Sequence, residues 1–73
     1  MKSYVTEAGR IVYLADLARE CENVITQALD DGIPLTKKSV VSLCDDNLPY
    51  STMSIKVALC YVDGRVLSRL QAR

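Results

Sequence analysis

The feature that most constrains this chain is a long run of apolar residues at three- and four-residue steps. Ile11, Leu14, Leu17 or Ala18, Cys21, Val24 or Ile25, and Ala28 with Leu29 fall on one stripe, the period of an amphipathic helix. The other face holds Asp16, Arg19, Glu20, Glu22, Asn23, Gln27 and Asp30. The spacing predicts a helix from about Ile11 to Asp31, roughly 30 Å long at the α-helical rise. Gly32 supplies its stop and Pro34 prevents its resumption, in keeping with the preference for Gly just past a helix end and Pro shortly after. Before Ile11 the signal is weak: Thr6 and Glu7 could begin the helix early, and Gly9 would weaken it.

A chain of 73 residues has room for one domain with a modest core, in a size range where oligomerisation often contributes stability. With 49% hydrophobic residues, four Tyr and neither Phe nor Trp, aliphatic side chains must fill that core, which suits helix-on-helix packing. Thr36 is placed to cap a second helix, whose short apolar face is Val40, Val41, Leu43 and Cys44 and whose end is Asp45-Asp46-Asn47. Pro49 disfavours helical backbone at Leu48 and so makes a turn. Ser51 or Thr52 then caps a third helix with Ile55, Ala58, Leu59 and Val62 on one face. The fold expected is all-α: a single domain over residues 1–73, with three to four helices and a candidate helix-turn-helix over 36–62. Residues 60–70 carry two readings. Asp63-Gly64 is a favoured hairpin turn, which would make a short C-terminal wing, whereas Val62, Val66 and Leu70 keep helical spacing and Arg65, Arg69 and Arg73 fall four apart beside them. The helix is preferred.

Several chemistries find no support. There is no His, no C-x-x-C pair and no Gly-rich phosphate loop, so neither metal, cofactor nor catalytic activity is expected. Cys21, Cys44 and Cys60 are odd in number and widely spaced, which reads as free thiols in a reducing cytosol. No apolar run approaches the ~18 residues that span a bilayer, and a cytoplasmic location is expected.

Net charge is zero, yet residues 1–35 hold three basic and six acidic side chains while residues 36–73 hold six basic and three acidic. A basic second half points to an anionic partner. A DNA-reading helix needs small hydrogen-bonding side chains and a cation or two at its start, and Tyr50, Ser51, Thr52, Ser54 and Lys56 supply them. Lys37 and Lys38 would contact phosphates, together with Arg65, Arg69 and Arg73. On a helical wheel the side of the third helix opposite Ile55, Leu59 and Val62 carries Met53, Val57 and Cys60, with Tyr61 nearby. So apolar a back needs a cover, either a second copy, giving a homodimer, or another protein.

These residues resemble the N-terminal DNA-binding domain of plasmid KfrA-type proteins, whose pattern is Leu-x-x-Gly-x-Pro-Thr, an apolar residue four positions on, then Ser-x-x-Thr-Ile-x-x-x-Leu after a turn. The matching positions are Leu29, Gly32, Pro34, Thr36, Val40, Ser51, Ser54, Ile55 and Leu59, about half the chain. Leu35 is inserted between Pro34 and Thr36, and Tyr50 stands where Gly is usual. The resemblance implies a homodimeric, sequence-specific binder of double-stranded DNA, a plasmid- or phage-type transcriptional regulator, with Ser51, Ser54 and Lys56 facing the DNA. The alternative reading is a small protein that binds and inhibits or adapts a larger host protein through Met53, Val57, Cys60 and Tyr61.

Overall fold

The computed structural model describes residues 3–70. It opens with a hairpin of β1 (Tyr4–Glu7) and β2 (Arg10–Tyr13), followed by α1 (Leu14–Asp30), α2 (Lys37–Asn47), α3 (Thr52–Leu59) and α4 (Gly64–Leu67). The expected all-α architecture is therefore corrected to helices plus a two-stranded antiparallel sheet. The strands pair Tyr4 with Tyr13, Val5 with Val12, Thr6 with Ile11 and Glu7 with Arg10. Ala8 and Gly9 form the two-residue turn with φ of 50° and 77°, the doubly left-handed backbone that matches the twist of hairpin strands. Alternation does the rest: Val5 and Val12 pack against the core, while Ile11 and Tyr13 are exposed.

The hairpin explains the late start of α1. Ile11 has helical spacing from Leu14, but it lies in β2, and the helix begins only at Leu14. The Leu14 N–H donates to the Ser3 carbonyl at 2.7 Å, extending the ladder into the first helical residue. At the other end Gly32 has φ of 82°. Its N–H donates to the Leu29 carbonyl and the Ile33 N–H to the Ala28 carbonyl, both at 3.0 Å, the paired bonds that close a helix through a left-handed glycine.

Thr36 caps α2 as its sequence position suggests. Its hydroxyl accepts from the Ser39 N–H at 3.2 Å while the Ser39 hydroxyl accepts from the Thr36 N–H at 2.7 Å, satisfying two otherwise orphan donors reciprocally. The core sits where α1 faces α2 and α3, built from Leu17, Cys21 and Ile25, Val40 and Cys44, and Ile55 and Ala58. Each large aliphatic side chain taken fully out of water contributes about 1.5–3 kcal/mol. Cys44 Sγ lies 4.0 Å from the Cys21 carbonyl, and both thiols are buried and free.

The C-terminal hairpin alternative is also overturned, and the continuous third helix is shortened. α3 ends at Leu59, and the chain passes Tyr61 and Val62 on i−3 bonds. Asp63 then caps the four-residue α4, accepting from the Arg65 N–H at 2.9 Å. Asp63-Gly64 thus starts a helix instead of turning a hairpin. Arg73, the last member of the expected arginine stripe, lies outside the described residues. Among the described residues no helix is long and apolar enough to cross a membrane, and no three potential metal ligands cluster.

Candidate interaction face

The four residues Leu48 to Ser51 separate α2 from α3, and both helices pack on α1. The second and third helices thus have the order of a helix-turn-helix. α3 buries Ser54, Ile55 and Ala58 against the core. Its outward face is consequently Thr52, Met53, Lys56, Val57 and Cys60, all exposed.

The start of α3, where base-reading side chains were expected, is committed internally. Ser51 is the cap: its hydroxyl accepts from the Ser54 N–H at 3.3 Å. Its own N–H donates to Glu7 Oε1 at 2.9 Å and its hydroxyl to Glu7 Oε2 at 2.8 Å. The Ser54 hydroxyl donates to the same carboxylate oxygen, and Ser54 is only 5% exposed. Ser54 is therefore a buried anchor to the hairpin and not a DNA-facing side chain. Glu7 gathers three donors at the positive end of a helix, and its carboxyl is held below the usual glutamate value, chiefly by the Ser54 hydroxyl and then by the Ser51 N–H and hydroxyl.

The neighbouring polar groups follow the same rule. Thr52 Oγ1 donates to Asp45 Oδ2 at 3.0 Å. The half-buried Tyr50 hydroxyl donates to Glu20 Oε2 at 2.9 Å, and that bond raises its pKa. Four of the five residues expected to meet bases thus face carboxylates of their own chain, and Lys56 does not. Of the expected phosphate contacts, Lys37, Lys38 and Arg65 are exposed. Arg69 makes the one ion pair among the described residues, to Asp30 at 3.5 Å. Tyr50, Ser51, Thr52 and Ser54 are brought together with Glu7, Glu20 and Asp45, not with the cations.

The apolar stripe is where the sequence puts it. Met53 is 75% exposed, Tyr61 47% and Val57 37%, and Cys60 lies open beside them, its thiol donating to the Lys56 carbonyl at 3.6 Å. Next to the stripe is a groove the sequence did not disclose, about 290 Å³ in volume and lined by Lys37, Val40, Leu59, Cys60, Leu67 and Leu70. Its lining comes from the start of α2, the end of α3 and the segment from Leu67 to Leu70, while α4 itself packs on α1. Helical spacing alone places Val66 and Leu70 on a continuing helix and gives no sign of that arrangement. Cys60 belongs to both stripe and groove, so the apolar surface is continuous. Neither a protein-family model, nor a curated protein, nor a solved structure matches this chain.

Proposed function

We propose that this protein is a non-catalytic binding module that docks on a larger protein through the outward face of α3. The observation that carries the reading is the contrast between the two parts of that helix. Its first turn is surrounded by Glu7 and Asp45, which repel a phosphate backbone, whereas its outward side exposes Met53, Val57 and Cys60 beside Tyr61. An exposed apolar run of this kind on a small protein marks an interface. Bulky flexible Met and amphipathic Tyr are enriched in such patches.

A second reading is the one the KfrA-type resemblance implies: a homodimer that binds double-stranded DNA as a plasmid- or phage-type transcriptional regulator. It is favoured by the order of α2, turn and α3, and by Lys37 and Lys38 in the first turn of α2. In that reading the stripe joins two copies and Lys56 faces the duplex. The matched residues Thr36, Ser51 and Ser54 are helix caps and anchors here, which accounts for the likeness without DNA.

One experiment separates the two. Labelled random-sequence duplex DNA is titrated at low ionic strength and again at higher salt, with light scattering on the same samples. The docking reading expects a monomer without salt-dependent DNA binding. A dimer whose affinity falls steeply with salt, and falls further in Lys37→Glu with Lys38→Glu, refutes docking and establishes DNA binding.

A further inference from the structure

Resting on the docking reading, we infer that the partner offers an acidic amphipathic segment: an apolar ridge that lies along Met53, Val57 and Cys60, a bulky side chain that enters the groove, and carboxylates on its flanks. The groove supplies the apolar half of this specification. Val40 forms a floor that is almost wholly buried, Leu59, Leu67 and Leu70 form walls, and the cavity of about 290 Å³ has room for a bulky hydrophobe.

Charge supplies the other half. Among the described residues Lys37 is the sole charged one lining the groove. Lys56 stands one helical turn before Cys60 on the exposed side of α3, and Arg65 is exposed two residues before Leu67. One acid, Asp63, stands beside them as the cap of α4 and keeps its charge while accepting the Arg65 N–H. Lys37, Lys56 and Arg65 outnumber Asp63, so the surroundings of the apolar floor are net cationic, and what complements them is an apolar ridge edged with carboxylates. A second copy is a poor occupant by the same criterion. Lys56 is the only charged residue of α3, so pairing α3 with its own copy sets cation near cation and provides no acid.

The test uses two synthetic helix-forming peptides with the same leucine ridge, one flanked by Glu and the other by Lys, titrated by fluorescence anisotropy against the full chain. At low salt the Glu peptide should bind about fivefold to tenfold tighter, the return expected of two or three solvent-exposed ion pairs. The gap should narrow as salt screens the rim. Lys37→Glu combined with Lys56→Glu, both at exposed positions, should reverse the preference. Leu67→Asp should abolish binding of both peptides with the far-UV circular dichroism retained. Equal affinities overturn the acidic specification and leave docking standing. Binding of neither peptide overturns both. A concentration-dependent dimer that excludes the peptides makes a second copy the occupant and refutes the inference.

Discussion

The orientation of α3 decides which residues are available for binding, and truncating side chains on its two faces tests it directly. Ile55 is wholly buried while Met53, two positions earlier, is 75% exposed. Ile55→Ala removes three carbons' worth of packing from a close-packed site and should cost about 2–5 kcal/mol. For a chain of this length total stability is of the order of 4–11 kcal/mol, so the loss is roughly a fifth of the whole at the least. At about 4–8 °C per kcal/mol for a small domain, the melting temperature should fall by at least about 8 °C, and the high end of the range leaves the variant largely unfolded at 37 °C. Met53→Ala removes a side chain that already stands in water and should change stability by no more than about 0.5 kcal/mol. Val57→Ala, at 37% exposure, belongs between them, nearer to Met53→Ala. Urea denaturation followed at the helical circular dichroism minimum reads all three at one protein concentration. If Met53→Ala lowers the midpoint as much as Ile55→Ala, α3 is rotated from the arrangement described, and its outward stripe is part of a core or a permanent interface.

Three further outcomes check the remaining structure. In the native protein a small aromatic disulfide reagent should modify Cys60 alone, with Cys21 and Cys44 reacting only after denaturation, because both are buried. Thr36→Ala should cost about 1 kcal/mol by removing the cap of α2, whereas Thr36→Ser, which keeps the hydroxyl, should cost clearly less; urea midpoints decide. Glu7 gives the pH dependence: its folded pKa lies below the ordinary value of 4.5, so its contribution is fully present above that value and is lost as pH falls through the folded pKa. Urea midpoints taken from neutral pH downward should therefore decline more steeply in the natural protein than in Glu7→Gln, and parallel curves would contradict the assignment.

What could be read in the sequence was local. The caps at Thr36 and Ser51, the stop at Gly32 and the end of α2 at Asn47 each depend on residues within one helical turn, and each stands where its spacing places it. The hairpin leaves only a faint signal in the sequence: Ala8-Gly9 lacks the Asn-Gly or Asp-Gly stamp of such a turn, and Ile11 sits in phase with the helical stripe that starts three residues later. Asp63-Gly64 has the stamp, but the Asp63 carboxylate finds the Arg65 N–H and nucleates a helix instead. The partners of Ser51 and Ser54 lie 44 and 47 residues away in the chain, a separation that no local pattern encodes.

That last pairing also explains why charge counted along the chain misleads about the face it builds. The second half is the basic half, yet the turn at Pro49 sets the start of α3 against the hairpin and the end of α2, where Glu7 and Asp45 wait. A helix start attracts an anion because its first N–H groups and its dipole are unsatisfied. Here Glu7 meets that demand from within the chain, removing the attraction that a phosphate would otherwise feel there. The cations are left toward the other end, with Lys37 and Cys60 bordering one groove and Lys56 a turn away. The docking we propose therefore uses the side of α3 and not its tip. There the exposed residues are apolar with a cationic edge, the two properties that the proposed partner has to match at once.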